Sequence, residues 1–131
     1  MSVEQNKALV AGWYEAINSP DWEIQARPFI SDLAVWKGFV DLHRPFREAF
    51  PDYHAEIEGL IGEGDHVAVW TRVTGTFSKP FEAAGMSGIE PQGQKLAWPE
   101  AVIYDFGEGV PNIVYWGVDE LGRLRQLGAL A

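Results

Sequence analysis

Apolar positions recur at helical spacing over the first third of the chain and give way to alternation after Tyr53, so helices precede strands. Ser2-Val-Glu-Gln5 matches a capping box, and Val10, Trp13, Tyr14 and Ile17 follow on one face. This pattern predicts an amphipathic helix over residues 3–18, closed by Asn18-Ser-Pro20. A second short helix is expected from Trp22 to Phe29 and a third between Asp41 and Phe50, ahead of Pro51. Leu33-Ala-Val-Trp36, between them, reads as a short strand.

From Tyr53 to Ile61 the pattern is β-like, and the Gly62-Glu-Gly-Asp65 turn leads into His66–Phe77, which makes a hairpin. Residues 78–94 hold too many glycines and prolines for one regular element. Lys95 to Phe106 and Ile113 to Val118 form a second hairpin, with Pro99 expected at a bulge or an edge. Helices on one face of a curved antiparallel sheet give an α+β domain over residues 1–131 rather than a doubly wound one.

Composition narrows the function classes. Ten Lys and Arg against nineteen Asp and Glu leave a net charge of -9, which repels phosphate backbones and anionic lipid alike. Neither nucleic acid nor a membrane is therefore an expected partner. The absence of Cys removes thiolate nucleophiles, thiolate metal sites and disulfides. The N-terminus lacks the basic and apolar regions of a signal peptide, so a cytoplasmic protein is expected. No pair of the three histidines has metal-ligand spacing, and no phosphate loop, dinucleotide fingerprint or serine elbow is present. No metal or other cofactor is expected.

Candidate chemistry lies in the last third. The apolar run Asn112–Val118 delivers a carboxylate, Asp119, where it can serve either as a buried general base or as the N-cap of a following helix. Glu100 lies in the apolar stretch Leu96–Ile103, where Trp98, Glu100, Val102 and Tyr104 share a strand face and would line a cavity. The alternative for Glu100 is a solvated position or an ion pair with Arg72. Six Trp, seven Phe and four Tyr suit a core and equally a pocket for a flat, conjugated ligand, with Trp36 and Trp98 the indoles most expected to reach it. His43, His54, Tyr14, Tyr104, Tyr115 and the indoles of Trp13, Trp36, Trp70, Trp98 and Trp116 are the available hydrogen-bond donors, while Arg72, Arg123 and Arg125 read as exposed charges.

Phe50-Pro-Asp-Tyr-His54, the stretch Gly64–Thr76, Gly88-Ile-Glu-Pro-Gln-Gly93, Asp119-Glu-Leu-Gly122 and Arg125-Gln-Leu-Gly128 follow one another in an order that resembles the SnoaL-like polyketide cyclases. That resemblance implies the nuclear transport factor 2-like cone, in which a bent sheet and the N-terminal helices enclose an apolar pocket. It also implies cofactor-free intramolecular aldol closure of a polyketide ester, with Asp119 at the position of the family's acid/base aspartate. Tyr14, Trp36, His43, Phe77, Trp98 and Glu100 are the expected substrate contacts, Phe77 standing where many relatives have His. The loop from Ser78 to Met86, unlike the short glycine-rich turn of relatives, is expected to reshape the pocket entrance. A small apolar or aromatic molecule is the expected ligand, and a homodimer formed through the open sheet face the expected assembly.

Three functions follow as expectations. The first is a cyclase using Asp119 on an apolar carbonyl compound. The second is a ketosteroid-isomerase-like isomerase or a cofactor-free hydroxylase on the same scaffold. The third is a binding module that kept the cavity without the chemistry, to which Phe77 and the Tyr115-Trp116 pair lend weight.

Overall fold

The computed structural model describes residues 2–129 of the chain. Helix α1, Val3–Ile17, starts at the predicted capping box: the Gln5 amide donates to Ser2 Oγ at 3.1 Å, and the Ser2 amide donates to Gln5 Oε1 at 2.8 Å. Its far end is tied down by Asn18. The Asn18 side chain accepts from the Ala55 amide at 2.8 Å and donates to the Ala55 carbonyl at 2.9 Å, which pins the helix to the first strand. Helix α2, Trp22–Ala26, runs into a single 3-10 turn, Arg27–Phe29.

Helix α3 spans Leu33–Ala49, so it starts two turns ahead of the Asp41 expected from sequence, Leu33–Trp36 is its first turn, and the short strand expected there does not form. The reason is local. Asp32 caps this end, its carboxylate accepting from the Ala34 and Val35 amides at 2.8 and 3.1 Å. The helix also passes through Pro45, which lies with Asp41 on its exposed side and cannot donate to the Asp41 carbonyl.

Four antiparallel strands follow as a meander: β1 His54–Glu63, β2 His66–Phe77, β3 Gln94–Asp105 and β4 Asn112–Val118, in the order β1-β2-β3-β4. Among the described residues this is the α+β arrangement that the pattern predicts. Strand β2 alternates throughout, with Val67, Val69, Thr71, Val73, Gly75 and Phe77 buried. Gly75 is required by packing, because a Cβ there would lie 2.9 Å from the Phe50 ring.

Pro99 sits within β3, where the register with β2 continues through Arg72 and Pro99 without a bulge. Its carbonyl accepts from the Asp119 amide at 3.2 Å, on the side where β4 has already ended. The ring nitrogen points the same way as that carbonyl, so no bond to β2 is lost and the position is a local edge. Helix α4, Glu120–Gln126, takes over this edge: Gln126 accepts from the Ala97 amide at 2.9 Å and donates to the Ala97 carbonyl at 2.6 Å.

The segment 78–93 folds inward rather than forming the pocket entrance. Phe81 and Met86 are buried, and the Ser78 amide donates to the Ala49 carbonyl at 2.8 Å. Phe46, Phe50, Phe77, Phe81 and Trp98 then form a closed aromatic core at this end of the sheet. No helix among the described residues is long and apolar enough to cross a membrane.

Candidate active site

Because the far end is filled, the cavity of about 770 Å³ lies between the concave face of the sheet, helices α1 and α3, and the 3-10 turn with Ile30. Its walls are mainly apolar: Val10, Trp13 and Ile17 from α1, Phe39 and Leu42 from α3, Val73 from β2, and Val102 and Phe106 from the β3 side. Val35, Leu42, Ile113 and Trp116 line it and are also solvent-exposed, which places the mouth between α3 and β4. The polar lining consists of Tyr14, His43, Tyr53, Thr71, Glu100, Tyr104 and the Trp116 indole. No lysine or arginine is among the lining residues, and Glu100 is their single carboxylate.

Alternation explains how Glu100 reaches the cavity. It lies opposite Thr71 on β2 and Val118 on β4, while Arg72 lies opposite Pro99 and therefore on the other face of the sheet. The ion pair with Arg72 weighed above is thus ruled out by parity. Two indoles hold the carboxylate instead: Trp98 Nε1–H donates to Oε2 at 2.9 Å, and Trp116 Nε1–H donates to Oε1 at 3.1 Å. Burial pushes the Glu100 carboxyl above its usual range. The two indole donors and the charge of Arg123 pull it back down, and Glu120 adds a smaller upward push. A carboxylate held between desolvation and fixed donors is a poised proton acceptor.

Three phenols surround it. Burial is the first cause that raises all three, and it carries Tyr104 up to about 12. The neighbouring Tyr104 and Tyr53 push Tyr14 further up, and Glu100 does the same to Tyr53. Near neutral pH these groups are neutral O–H donors, suited to an oxygen that gains charge during a reaction. His43 contributes differently. Its Nε2 is buried without a partner among the described residues, its ring stacks on Phe39 with centroids 4.6 Å apart, and burial followed by repulsion from Arg47 lowers its pKa to about 4. It is a neutral aromatic wall.

The cavity brings together five of the residues expected from sequence to face it: Tyr14, His43, Glu100, Val102 and Tyr104. Trp98 is buried behind Glu100 and touches the carboxylate without lining the cavity. Phe77 stacks on Phe50 in the closed core, centroids 5.5 Å apart, and does not reach the cavity. Trp36, half-buried, packs beside Phe39 and under the Arg27 guanidinium, also outside the lining.

Asp119 is exposed and takes the capping role. Its carboxylate accepts from the Gly122 amide at 2.9 Å at the start of α4. Parity is the cause: Trp116 and Val118 lie opposite the inward residues Val102 and Glu100, so the next position faces away as the chain turns into α4.

Tyr53 and Thr71 belong to the lining and were absent from the expected set. Thr71 has a sequence signal, since it shares the inward parity of Val69 and Val73. Arg123 is the larger surprise. Read as an exposed charge, it is 4% exposed, with its guanidinium 4.8 Å from the Trp98 ring centroid and 5.9 Å from that of Phe46. Such a stack contributes about 2 kcal/mol when desolvated. The available signal is Leu127, one helical turn onward on the same face and packed against the core. Among the described residues no group of three His, Cys, Asp or Glu side chains is placed to hold a metal ion.

A helical lid over a curved meander, enclosing one polar cluster in an apolar cavity, defines a small-molecule pocket protein of the α+β class. The model of the SnoaL-like polyketide cyclases matches residues 8–127, and the chain belongs to that family. No protein of curated function matches it. Among solved structures it is similar to AclR, a proposed hydroxylase from Streptomyces galilaeus, with TM-score 0.79 and 25% identity over 99% of this chain and 100% of that one. It is likewise similar to IdmH, a proposed polyketide cyclase from Streptomyces antibioticus, with TM-score 0.74 and 26% identity over 95% of this chain and 99% of that one. A third likeness, to TsrD from Streptomyces laurentii, has TM-score 0.78 and 22% identity over 99% of both chains and concerns the fold alone.

Proposed function

We propose that this chain is a cofactor-independent acid/base enzyme that closes a ring on a neutral, apolar, conjugated carbonyl compound, with Glu100 rather than Asp119 as the proton acceptor. The observation that carries this is the position of Glu100: it is the single carboxylate among the lining residues, clasped by two indole N–H groups. In the proposed step Glu100 removes a proton from the carbon next to a carbonyl. The enolate oxygen is met by the neutral phenols of Tyr14 and Tyr104, and the carbanion attacks a second carbonyl of the same molecule. The proton on Glu100 then passes to the new alkoxide, so one C–H and one C=O become one C–C and one O–H with nothing gained or lost. The surrounding aromatic rings hold the folded chain with its reacting carbons close.

A second reading is favoured by the likeness to AclR: cofactor-free oxygenation, in which dioxygen adds to the same enolate. The proton on Glu100 completes a C–O–O–H group, and loss of water from a CH–O–O–H carbon leaves a carbonyl, the substrate itself supplying all the electrons. It shares the deprotonation step and is separated by oxygen consumption during turnover. We also propose that two copies pair through the outer face of the sheet.

The test is Glu100→Gln, assayed on a panel of neutral polycyclic aromatic esters bearing a ketone side chain. Turnover should fall ~100-fold or more while ligand affinity and melting temperature stay near wild type. Turnover at the wild-type rate would end the proposal, and ligand binding with no turnover by the wild-type protein on any member would favour a binding module.

A further inference from the structure

We propose that Arg123 is a positioning residue for Glu100: stacked on Trp98, its guanidinium fixes the indole whose N–H clasps the carboxylate and brings a positive charge to the same group. This inference rests on the reading of Glu100 as the proton acceptor.

The relay is continuous in the structure. Asp119 caps α4, and Gln126 clamps that helix to Ala97 on the free edge of β3. One turn inside the helix, Arg123 lies over the Trp98 ring, and Trp98 donates to Glu100 Oε2. Arg123 makes no ion pair among the described residues, and its Nε is buried with no hydrogen-bond partner. Burying an arginine with its Nε unsatisfied and no ion pair among the described residues is costly in a core, where an apolar side chain of similar length would fill the same space. What distinguishes arginine there is a planar cation, which stacks on the indole face and draws electron density away from its N–H.

The charged and titratable groups that face Glu100 come from each packed element. They are Tyr14 on α1, Tyr53 before β1, Tyr104 on β3, and Glu120 and Arg123 on α4. His43 on α3 lines the same cavity in its neutral form. Of these, Arg123 is the cation, and it opposes the effect of burial on Glu100. Its function is to keep Glu100 ionised near neutral pH inside an apolar pocket.

The experiment follows the Glu100 carboxyl carbon by NMR titration of protein labelled with 13C-glutamate, in wild type, Arg123→Met and Arg123→Lys. Glu100→Gln assigns the signal. Arg123→Met should raise the Glu100 midpoint by about one pH unit. Arg123→Lys, which keeps the charge and loses the planar stack, should fall between the two. If Arg123→Met does not fold, Trp98→Phe replaces it, since it leaves a ring under the guanidinium, removes the N–H and should raise the midpoint as well. A midpoint that Arg123→Met and Arg123→Lys leave unchanged overturns the inference, even where Glu100→Gln abolishes turnover. A shifted midpoint together with full Glu100→Gln activity overturns the reading of Glu100 as acceptor and leaves the relay standing.

Discussion

The Asp119 carboxylate holds the Gly122 amide at 2.9 Å, and Gly122 is what lets it come so close: a Cβ at that position would overlap the carboxylate. The pair is an N-cap whose partner residue is constrained as tightly as the cap itself. Asp119→Ala should therefore cost ~1 kcal/mol of stability, and Asp119→Asn only a few tenths, because the amide oxygen still accepts. Gly122→Ala should cost as much as Asp119→Ala, by expelling the cap. Urea denaturation measures all three. A double variant no worse than either single one is the expected sign that both act through one contact.

His43 makes folding sensitive to mild acid. Its folded pKa of about 4 lies below the unfolded value of ~6.5, because burial, then Arg47, disfavours the imidazolium. The unfolded chain thus binds a proton that the folded one refuses. The contribution is fully present above pH ~6.5 and is lost progressively as pH falls toward 4, reaching about 3 kcal/mol at the bottom of that window. Between pH 7 and 5 the wild type should lose stability that His43→Phe retains. Equal slopes for the two proteins over that interval would show that His43 does not stay neutral when folded.

How far residues predict structure here depends on whether burial writes the pattern. Strand β2 is read to the residue because its inward side chains alternate without a break, and the face shared by Glu100, Val102 and Tyr104 follows from the same parity. The first two turns of α3, ahead of the start expected near Asp41, escape because Leu33 and Val35 are exposed, so apolar content at the entry carries no information about a core. Only Asp32, two residues ahead of the amide it caps, marks the true start. The site is legible residue by residue and illegible as a constellation. That Trp116 meets Glu100 is set by the β3–β4 register, which shifts between Ile103 and Tyr104, and no local rule predicts that bulge. The relay from Arg123 depends on where α4 docks, a tertiary choice made by Gln126 and Ala97.

The outer face of the sheet offers a surface for the proposed pairing. Across its strands Ile61, Ala68, Ile103 and Tyr115 form one row, and Trp70 lies over Gly59, whose missing side chain makes room for the indole. Ile61 is 59% exposed, Tyr115 56% and Trp70 43%. Rows of this kind on a single chain are a common dimer contact, and a stable one needs about 800 Å² per partner. Light scattering should give twice the 14.6 kDa chain mass for the wild type and the single mass for Trp70→Glu with Tyr115→Glu. A monomeric wild type at micromolar concentration would remove this proposal without touching the cavity.

Charge in the cavity predicts which form of a ligand it accepts. With Glu100 the single carboxylate, no lysine or arginine among the lining residues and His43 held neutral, an anionic group entering the pocket loses water and gains no counter-ion. A polycyclic aromatic methyl ester should therefore bind about tenfold tighter than its free acid, a difference of ~1.4 kcal/mol. Trp13 and Trp116 line the cavity, so binding is followed by quenching of their fluorescence. Saturation should raise the melting temperature, since ligand at 100 times its Kd stabilises the folded state by ~2.7 kcal/mol. Affinity for the ester should hold between low and high salt, because apolar burial is not screened. Removing the charge with Glu100→Gln should narrow the gap between ester and acid, and Tyr14→Phe should weaken both alike. A free acid that binds more tightly than its ester, and loses that advantage in salt, would mean that a cation governs the pocket and that the proposed class of substrate is wrong.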